Sequence, residues 1–340
     1  MKRSTLRLAA AIGLATALAA PAFAADTLQT IRERGKIICG TSPGVAGFSL
    51  QDANGRWEGF DTDICRALAA IIFNDTEKAA FVPLTSKDRL IALQAGEIDV
   101  LPRTTTWTLA RNAGQGVTFT AVNYYDGQGF MVTKKLGVTS AAQLGGASIC
   151  VAQGTTSELN LADYFRKLGA EYEPAAFSTS EEAMKAYEAG RCDAYTTDVS
   201  ALSAVKMKLQ APDAHVILPE IISKEPLGPW VRTGDETWFN LVRWTVFALV
   251  NAEELGITKA NLQEMLKSPN PEIKRFLGRD GKMGEAMGVS NDWVVRVIAA
   301  VGNYGESFER HLGAKSRLHL ARGPNELWSR GGIQYSPPFR

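Results

Sequence analysis

A strand–helix–strand–helix–strand alternation occurs twice in this chain, and that doubling limits its fold more than any other feature. In the first run, Ile37–Gly40 reads as a strand and Asp52-Ala-Asn-Gly55 as a turn. Gly59–Ile72 follows as a helix, with Ile64, Leu68, Ile71 and Ile72 along one face. Ala80–Leu84 is a second strand, Lys87–Ala95 a helix stopped by Gly96, and Ile98–Leu101 a third strand. Strands separated by helices of this length pair in parallel, because a parallel connection needs a crossover. Val117–Val132 is aromatic and β-prone and leads out of this unit. The order then restarts with Ser148–Ala152, the helix Ser157–Leu168, Tyr172–Phe177, the helix Glu181–Ala189 and Cys192–Thr196. Two α/β units in succession predict two lobes with a cleft between them. Glu225–Arg232 reads as a second inter-lobe segment, followed by a helix over Thr237–Asn251. Gly256–Arg340 reads as mainly helical, with no role legible in its residues.

The chain's 340 residues, 45% hydrophobic and 21% charged, suit roughly two domains of ~150 residues. Its 37 basic and 36 acidic residues leave no basic excess, which excludes nucleic acid as an expected partner. Lys2, Arg3 and Arg7 precede the apolar run Leu8–Ala20, and Ala22-Phe23-Ala24 follows Pro21. This is the pattern of a secretory signal peptide over residues 1–24, cleaved before Ala25. The 13-residue run is short of the ~20 residues that span a bilayer. Removing those three basic residues leaves 34 against 36 acidic ones, so a slightly acidic, exported, soluble protein is expected. In an oxidising compartment the four cysteines are expected as disulfides, and three pairings are possible. Cys39–Cys65 with Cys150–Cys192 keeps each bridge inside one lobe; four buried thiols are the alternative.

The usual signatures of metal and nucleotide chemistry are missing: there is no H-E-x-x-H, G-x-x-x-x-G-K-[ST] or G-x-G-x-x-G after a strand. The three histidines stand near no nucleophile or second ligand, and neither a metal site nor a cofactor is expected. Small polar residues gather instead at the C-terminal ends of predicted strands, where open α/β sheets bind ligands. They are Thr104-Thr-Thr106 followed by Arg111, Gly154-Thr-Thr156 before a helix, and Asp198 after Thr196-Thr197. Together they suit a zwitterion: an arginine and a helix start for the carboxylate, an aspartate for the ammonium. Singly, each has a plainer reading: Arg111 as a surface arginine, Thr155 and Thr156 as helix caps, Asp198 as the cap of a helix from Val199. The case for a site is that all of them fall at comparable strand ends.

Gly59-Phe-Asp-Thr-Asp-Ile64, continuing through Leu68-Ala69 to Ile72, resembles the signature of the family 3 solute-binding proteins, the polar-amino-acid receptors of ABC importers. Thr104–Arg111 resembles that family's hydroxyl-rich loop ending in the carboxylate arginine. Gly154-Thr155-Thr156 is similar to its helix-start loop, and Asp198 to its ammonium-binding aspartate. The extended C-terminal third, with Val301-Gly-Asn-Tyr-Gly305, resembles the general L-amino-acid-binding branch. The resemblance implies a type II periplasmic binding protein fold, two parallel-type α/β lobes hinged by two crossover strands. Lobe one would be 26–134 plus 226–340 and lobe two 135–225, with hinges at Val132–Lys134 and Glu225–Arg232. It further implies a monomeric periplasmic receptor that binds an L-amino acid through Thr104, Thr106, Arg111, Thr155, Thr156 and Asp198, closes over it, and delivers it to membrane permease subunits.

Departures from the family concern selectivity. Val45 stands where cation-selective relatives carry a stacking aromatic ring, and Ser42 where acid-selective relatives carry an arginine. Arg89 matches a second arginine of the acid-selective group, a solvated helix charge being its plain alternative. A broad pocket fits these departures, as does a specialist using Phe48, Trp107 or Tyr124. Two other functions share the fold: a periplasmic dehydratase of arogenate or prephenate type, and the ligand-binding subunit of a chemoreceptor. The former needs an acid/base group in the cleft, and none stands out in the site segments.

Overall fold

The computed structural model describes residues 26–340; the signal-peptide reading of residues 1–24 lies outside them. The first lobe is built on Ile37–Thr41 paired in parallel with Ala79–Pro83, with Cys39 bridged on its other side to Val100. Leu101 then pairs antiparallel with Trp230, and Trp230–Arg232 with Val117–Phe119. The expected strand at 98–101 is therefore a set of bridges rather than a ladder, because the chain changes neighbours within four residues.

The helix Phe60–Phe73 crosses from the first strand to the second. Its start depends on Gly59, whose φ of 140° is strained for any side chain and whose Cβ would lie 2.1 Å from the Phe48 carbonyl oxygen. That close approach lets Phe60 and Asp61 donate their N–H groups to Gly47 and Phe48. Asp61 and Asp63 in the first turn suit the positive end of the helix, and both are buried because each holds another segment. Asp61 accepts the Thr104 N–H at 2.9 Å and Asn123 Nδ2 at 3.2 Å. Asp63 accepts Ser307 Oγ at 2.7 Å and His311 Nε2 at 3.0 Å.

The second lobe is a five-stranded sheet in the order His215–Ile217, Gln128–Thr133, Ala194–Asp198, Ser148–Ala152, Glu173–Phe177. The last three strands are parallel, as the alternation predicts. Gln128–Thr133 runs antiparallel to both of its neighbours, so the sheet is mixed. Side chains alternate between its faces: Phe130, Val132, Ile149 and Val151 pack with Leu161 and Phe165, while Met131, Cys150 and Tyr195 pack with Tyr187 and Leu202.

That strand corrects the lobe boundary. Residues 128–133, assigned to lobe one by sequence, belong to lobe two's sheet, and the crossover expected at Val132–Lys134 lies instead at Tyr124–Asp126, paired antiparallel with Glu225–Leu227. The β-prone run 117–132 hides three strands. Gly127 divides the last two, and its missing side chain admits Ile221, whose Cγ2 would stand 2.2 Å from a Cβ there. The segment Glu225–Arg232 is likewise two strands, only the first of which pairs with the other crossover.

The C-terminal region is part of lobe one. Trp293–Val301 and Tyr304–His311 pack on Phe60–Phe73 and on the long helix Glu236–Glu254 in one continuous core. Phe339, almost at the terminus, lies among Trp244, Phe276 and Trp293 with ring centroids 5.0, 4.9 and 6.2 Å away. Cys39 is bonded to Cys65 in lobe one and Cys150 to Cys192 in lobe two, with Cα atoms 6.4 and 5.6 Å apart. Each bridge stabilises its lobe by about 2–4 kcal/mol in the chain-entropy account. Among the described residues no helix is long and apolar enough to cross a membrane.

Candidate functional site

The two lobes face each other at the strand ends singled out by sequence, and they are in contact. Thr106 Oγ1 of lobe one lies 3.3 Å from Thr156 Oγ1 of lobe two. Lys208 Nζ donates to the Gly44 carbonyl at 2.7 Å, and Lys87 Nζ to Gln153 Oε1 at 2.5 Å. Glu225, on a crossover strand, gathers donors from both sides: Thr106 Oγ1 at 2.5 Å, Thr156 Oγ1 at 2.9 Å, Asn160 Nδ2 at 2.8 Å and Ser223 Oγ at 2.6 Å.

Arg111 sits on the short helix Leu109–Gly114, whose N-terminus Thr108 caps through the Arg111 N–H. Its Nη1 donates to the Thr106 carbonyl at 2.9 Å, so the hydroxyl-rich loop and the arginine form one unit. The side chain is only 9% exposed and pairs with no carboxylate. Burial lowers its pKa, while Glu225 and Asp198 nearby favour its charge. Arg89 is 4% exposed rather than a solvated helix charge; Nη1 reaches the Thr104 carbonyl at 3.3 Å and Nε has no partner. Burial first, then the neighbouring Arg103 and Arg111, hold its pKa well below the usual arginine range.

Asp198 ends the strand Ala194–Asp198 at the cap position of the helix Val199–Lys206. It does not cap that helix, against the plainer reading: its carboxylate makes no hydrogen bond to it. Burial, then the adjacent Asp126 and Glu225, hold its pKa well above the carboxylate range, with Arg89 and Arg111 opposing. Asp126, which accepts Ser200 Oγ, is pushed up to about 6, chiefly by burial.

Not every residue singled out comes to the cleft through its side chain. Thr155 caps the helix Thr156–Leu168 by accepting the Glu158 N–H at 3.2 Å, and its hydroxyl donates to the Ala152 carbonyl at 2.7 Å. Thr104 contributes its backbone, held between Asp61 and Arg89. Sequence reasoning missed Glu225, Asp126 and Arg103. Arg103 had a signal, a charged residue ending the apolar run Val100–Pro102; an acid in a crossover strand has none. A cavity of about 320 Å³ between the lobes is walled by Ser42, Thr85, Arg103, Thr179, Tyr195 and Thr197, among others. A second recess has Arg111 in its wall, with Lys87 and Gly154 at its sides. Among the described residues no three His, Cys, Asp or Glu side chains converge as metal ligands would.

Two lobes joined by paired crossover strands, with buried arginines and a desolvated aspartate that form no ion pair between them, define a binding protein for a charged small molecule. Residues 37–258 match the profile of the bacterial extracellular solute-binding proteins, family 3, and the chain belongs to that family, with the type II periplasmic binding protein fold. It is 55% identical to the general L-amino acid-binding periplasmic protein AapJ of Rhizobium johnstonii, over 98% of each chain. It is 52% identical to the glutamate/glutamine/aspartate/asparagine-binding protein BztA of Rhodobacter capsulatus, over 95% of this chain and 96% of that one. Its fold matches a periplasmic binding protein from Brucella ovis with glutathione bound, at 55% identity and a TM-score of 0.91, covering 93% of this chain and all of that one.

Proposed function

We infer that this chain is a periplasmic receptor that captures an L-amino acid between its lobes and delivers it to the permease of an ABC importer. The carrying observation is that Arg111 and Asp198, facing one cleft, are drawn out of water with no ion partner of their own. An α-carboxylate on Arg111, beside Thr106 and the start of the helix Thr156–Leu168, and an α-ammonium on Asp198 satisfy both. Arg89 lines the same charged cluster and contributes to holding the anion. Export through the signal peptide, with cleavage before Ala25, places the monomeric receptor in the periplasm, where its loaded form docks on the permease. Nothing in this reading calls for a chemical step.

Neither half of the site surrounds a zwitterion, so ligand favours the closed shape by contacts that the open shape lacks. Calorimetry of the mature protein against the twenty L-amino acids and glutathione is expected to find binding, with a smaller radius of gyration at saturation. Glutathione is a second reading favoured by the Brucella ovis structure: its glutamyl end is itself an amino-acid zwitterion, and the cavity beside Arg103 offers room for the remainder. Absence of binding throughout the screen, or unchanged scattering at saturation, overturns the receptor reading.

Ligand capture is also expected to release a proton. An ammonium beside Asp198 lowers a pKa that burial and like charges have raised, so affinity rises with pH towards the free protein's Asp198 pKa and levels off above it. In mildly acidic buffers of different ionisation enthalpy, the observed binding heat should differ, and Asp198→Asn should remove the difference. Identical heats in wild type would reject the pairing.

A further inference from the structure

The cleft holds three buried guanidiniums, more than the single carboxylate of a simple zwitterion engages. Arg89, Arg103 and Arg111 are all buried there, and none forms an ion pair. A guanidinium keeps its proton, so each buried one calls for an anion. The α-carboxylate occupies Arg111, with Arg89 beside it. Arg103 remains, 6% exposed, with a single hydrogen bond, Nη2 to Ser86 Oγ at 3.4 Å, and a buried Nε that has no partner. Asp61, whose charge favours that of Arg103, is already engaged by the Thr104 N–H and by Asn123.

Position distinguishes Arg103 from the other two. It stands in the wall of the 320 Å³ cavity with the hydroxyls of Ser42, Thr85 and Ser86, whereas Arg111 lines the other recess. Thr197, the neighbour of Asp198, stands in the same wall, so this cavity adjoins the proposed ammonium site. Resting on the amino-acid reading above, we propose that Arg103 is the specificity-determining residue of this receptor, receiving a carboxylate on the ligand's side chain and so favouring dicarboxylic over neutral amino acids. The hydroxyls beside it supply further donors to the same carboxylate. A hydroxyl can also serve a side-chain amide, so L-glutamine should be admitted without being preferred.

The test is calorimetry of wild type, Arg103→Gln and Arg103→Lys with L-glutamate, L-glutamine and L-leucine. Wild type should prefer glutamate to glutamine. Arg103→Gln should lose roughly 10–100-fold for glutamate, the worth of a charge-assisted hydrogen bond, and only about threefold or less for glutamine and leucine. Retained glutamine binding shows that the variant is folded. Arg103→Lys, which keeps the charge but not the two-pronged donor, should restore part of the preference. Equal losses for glutamate and glutamine would make Arg103 a structural residue, and a wild type without preference would overturn the assignment; both leave the receptor reading standing. If Arg103→Gln shows no cooperative melting, the glutamate-to-glutamine ratio in Arg103→Lys decides, an unchanged ratio overturning the proposal. Failure of wild type to bind any amino acid would instead remove the receptor reading on which the proposal rests.

Discussion

Arg111→Ala is expected to weaken capture of every L-amino acid by about 2–5 kcal/mol, the cost of truncating one partner of a buried, hydrogen-bonded charge pair. The loss should be similar for acidic, neutral and basic ligands, because the proposed grip of Arg111 is on the α-carboxylate that they share. It should also abolish the ligand-induced fall in radius of gyration at a concentration that saturates wild type. The variant should fold: the helix Leu109–Gly114 keeps its Thr108 cap, and only the bond from Nη1 to the Thr106 carbonyl is lost. Calorimetry returning wild-type affinity would remove Arg111 from the site. A loss confined to one class of ligand would move it from the common grip to the side-chain pocket.

The second large effect lies far from the cleft. Phe339→Ala should destabilise lobe one by about 3–5 kcal/mol, the usual cost of deleting a buried aromatic ring. Phe339 is followed by a single residue, Arg340, yet its ring fills the space between Trp244, Phe276 and Trp293. Denaturant unfolding followed by tryptophan fluorescence reports lobe one, which holds all seven tryptophans, and should show an earlier transition; circular dichroism should show lobe two unfolding as in wild type, because its cores are separate. Amino-acid affinity under native conditions should stay within about threefold, since additivity holds for sites without shared partners. An unaltered midpoint would show that the C-terminal tail is peripheral to the core.

Much of the fold was legible in the residues, and particular elements show why. The helix Phe60–Phe73 announces itself by apolar residues at helical spacing, and the strands Ser148–Ala152 and Ala79–Pro83 by short apolar runs bounded by polar turns. These are local patterns, and local backbone preference together with burial of one face is enough to form them. The run 117–132 was misread because β propensity carries no information about which sheet a strand joins. Gln128–Thr133 is placed by partners some 60 to 90 residues further along the chain, and Gly127 marks its separation only once Ile221 is seen beside it.

Legibility of the site followed the same division. Thr106, Arg111, Thr156 and Asp198 could be chosen because chemistry at strand ends has a small vocabulary, and a hydroxyl, a guanidinium and a carboxylate together suit a zwitterion. Thr155 was chosen by the same rule, but its side chain is committed to capping its helix. Nothing local separates the two threonines.

By itself the sequence determined most helices and strands of the two α/β units, the bonding capacity of four cysteines and the chemical types available for a site. Only the tertiary structure decided that residues 128–133 cross to the second lobe, that the C-terminal third completes the first lobe's core, and that Arg89 and Arg103 are buried. The physical reason is range. Periodicity and capping act over a few residues, whereas burial, desolvation and the pairing of charge depend on segments that meet only after the chain has folded.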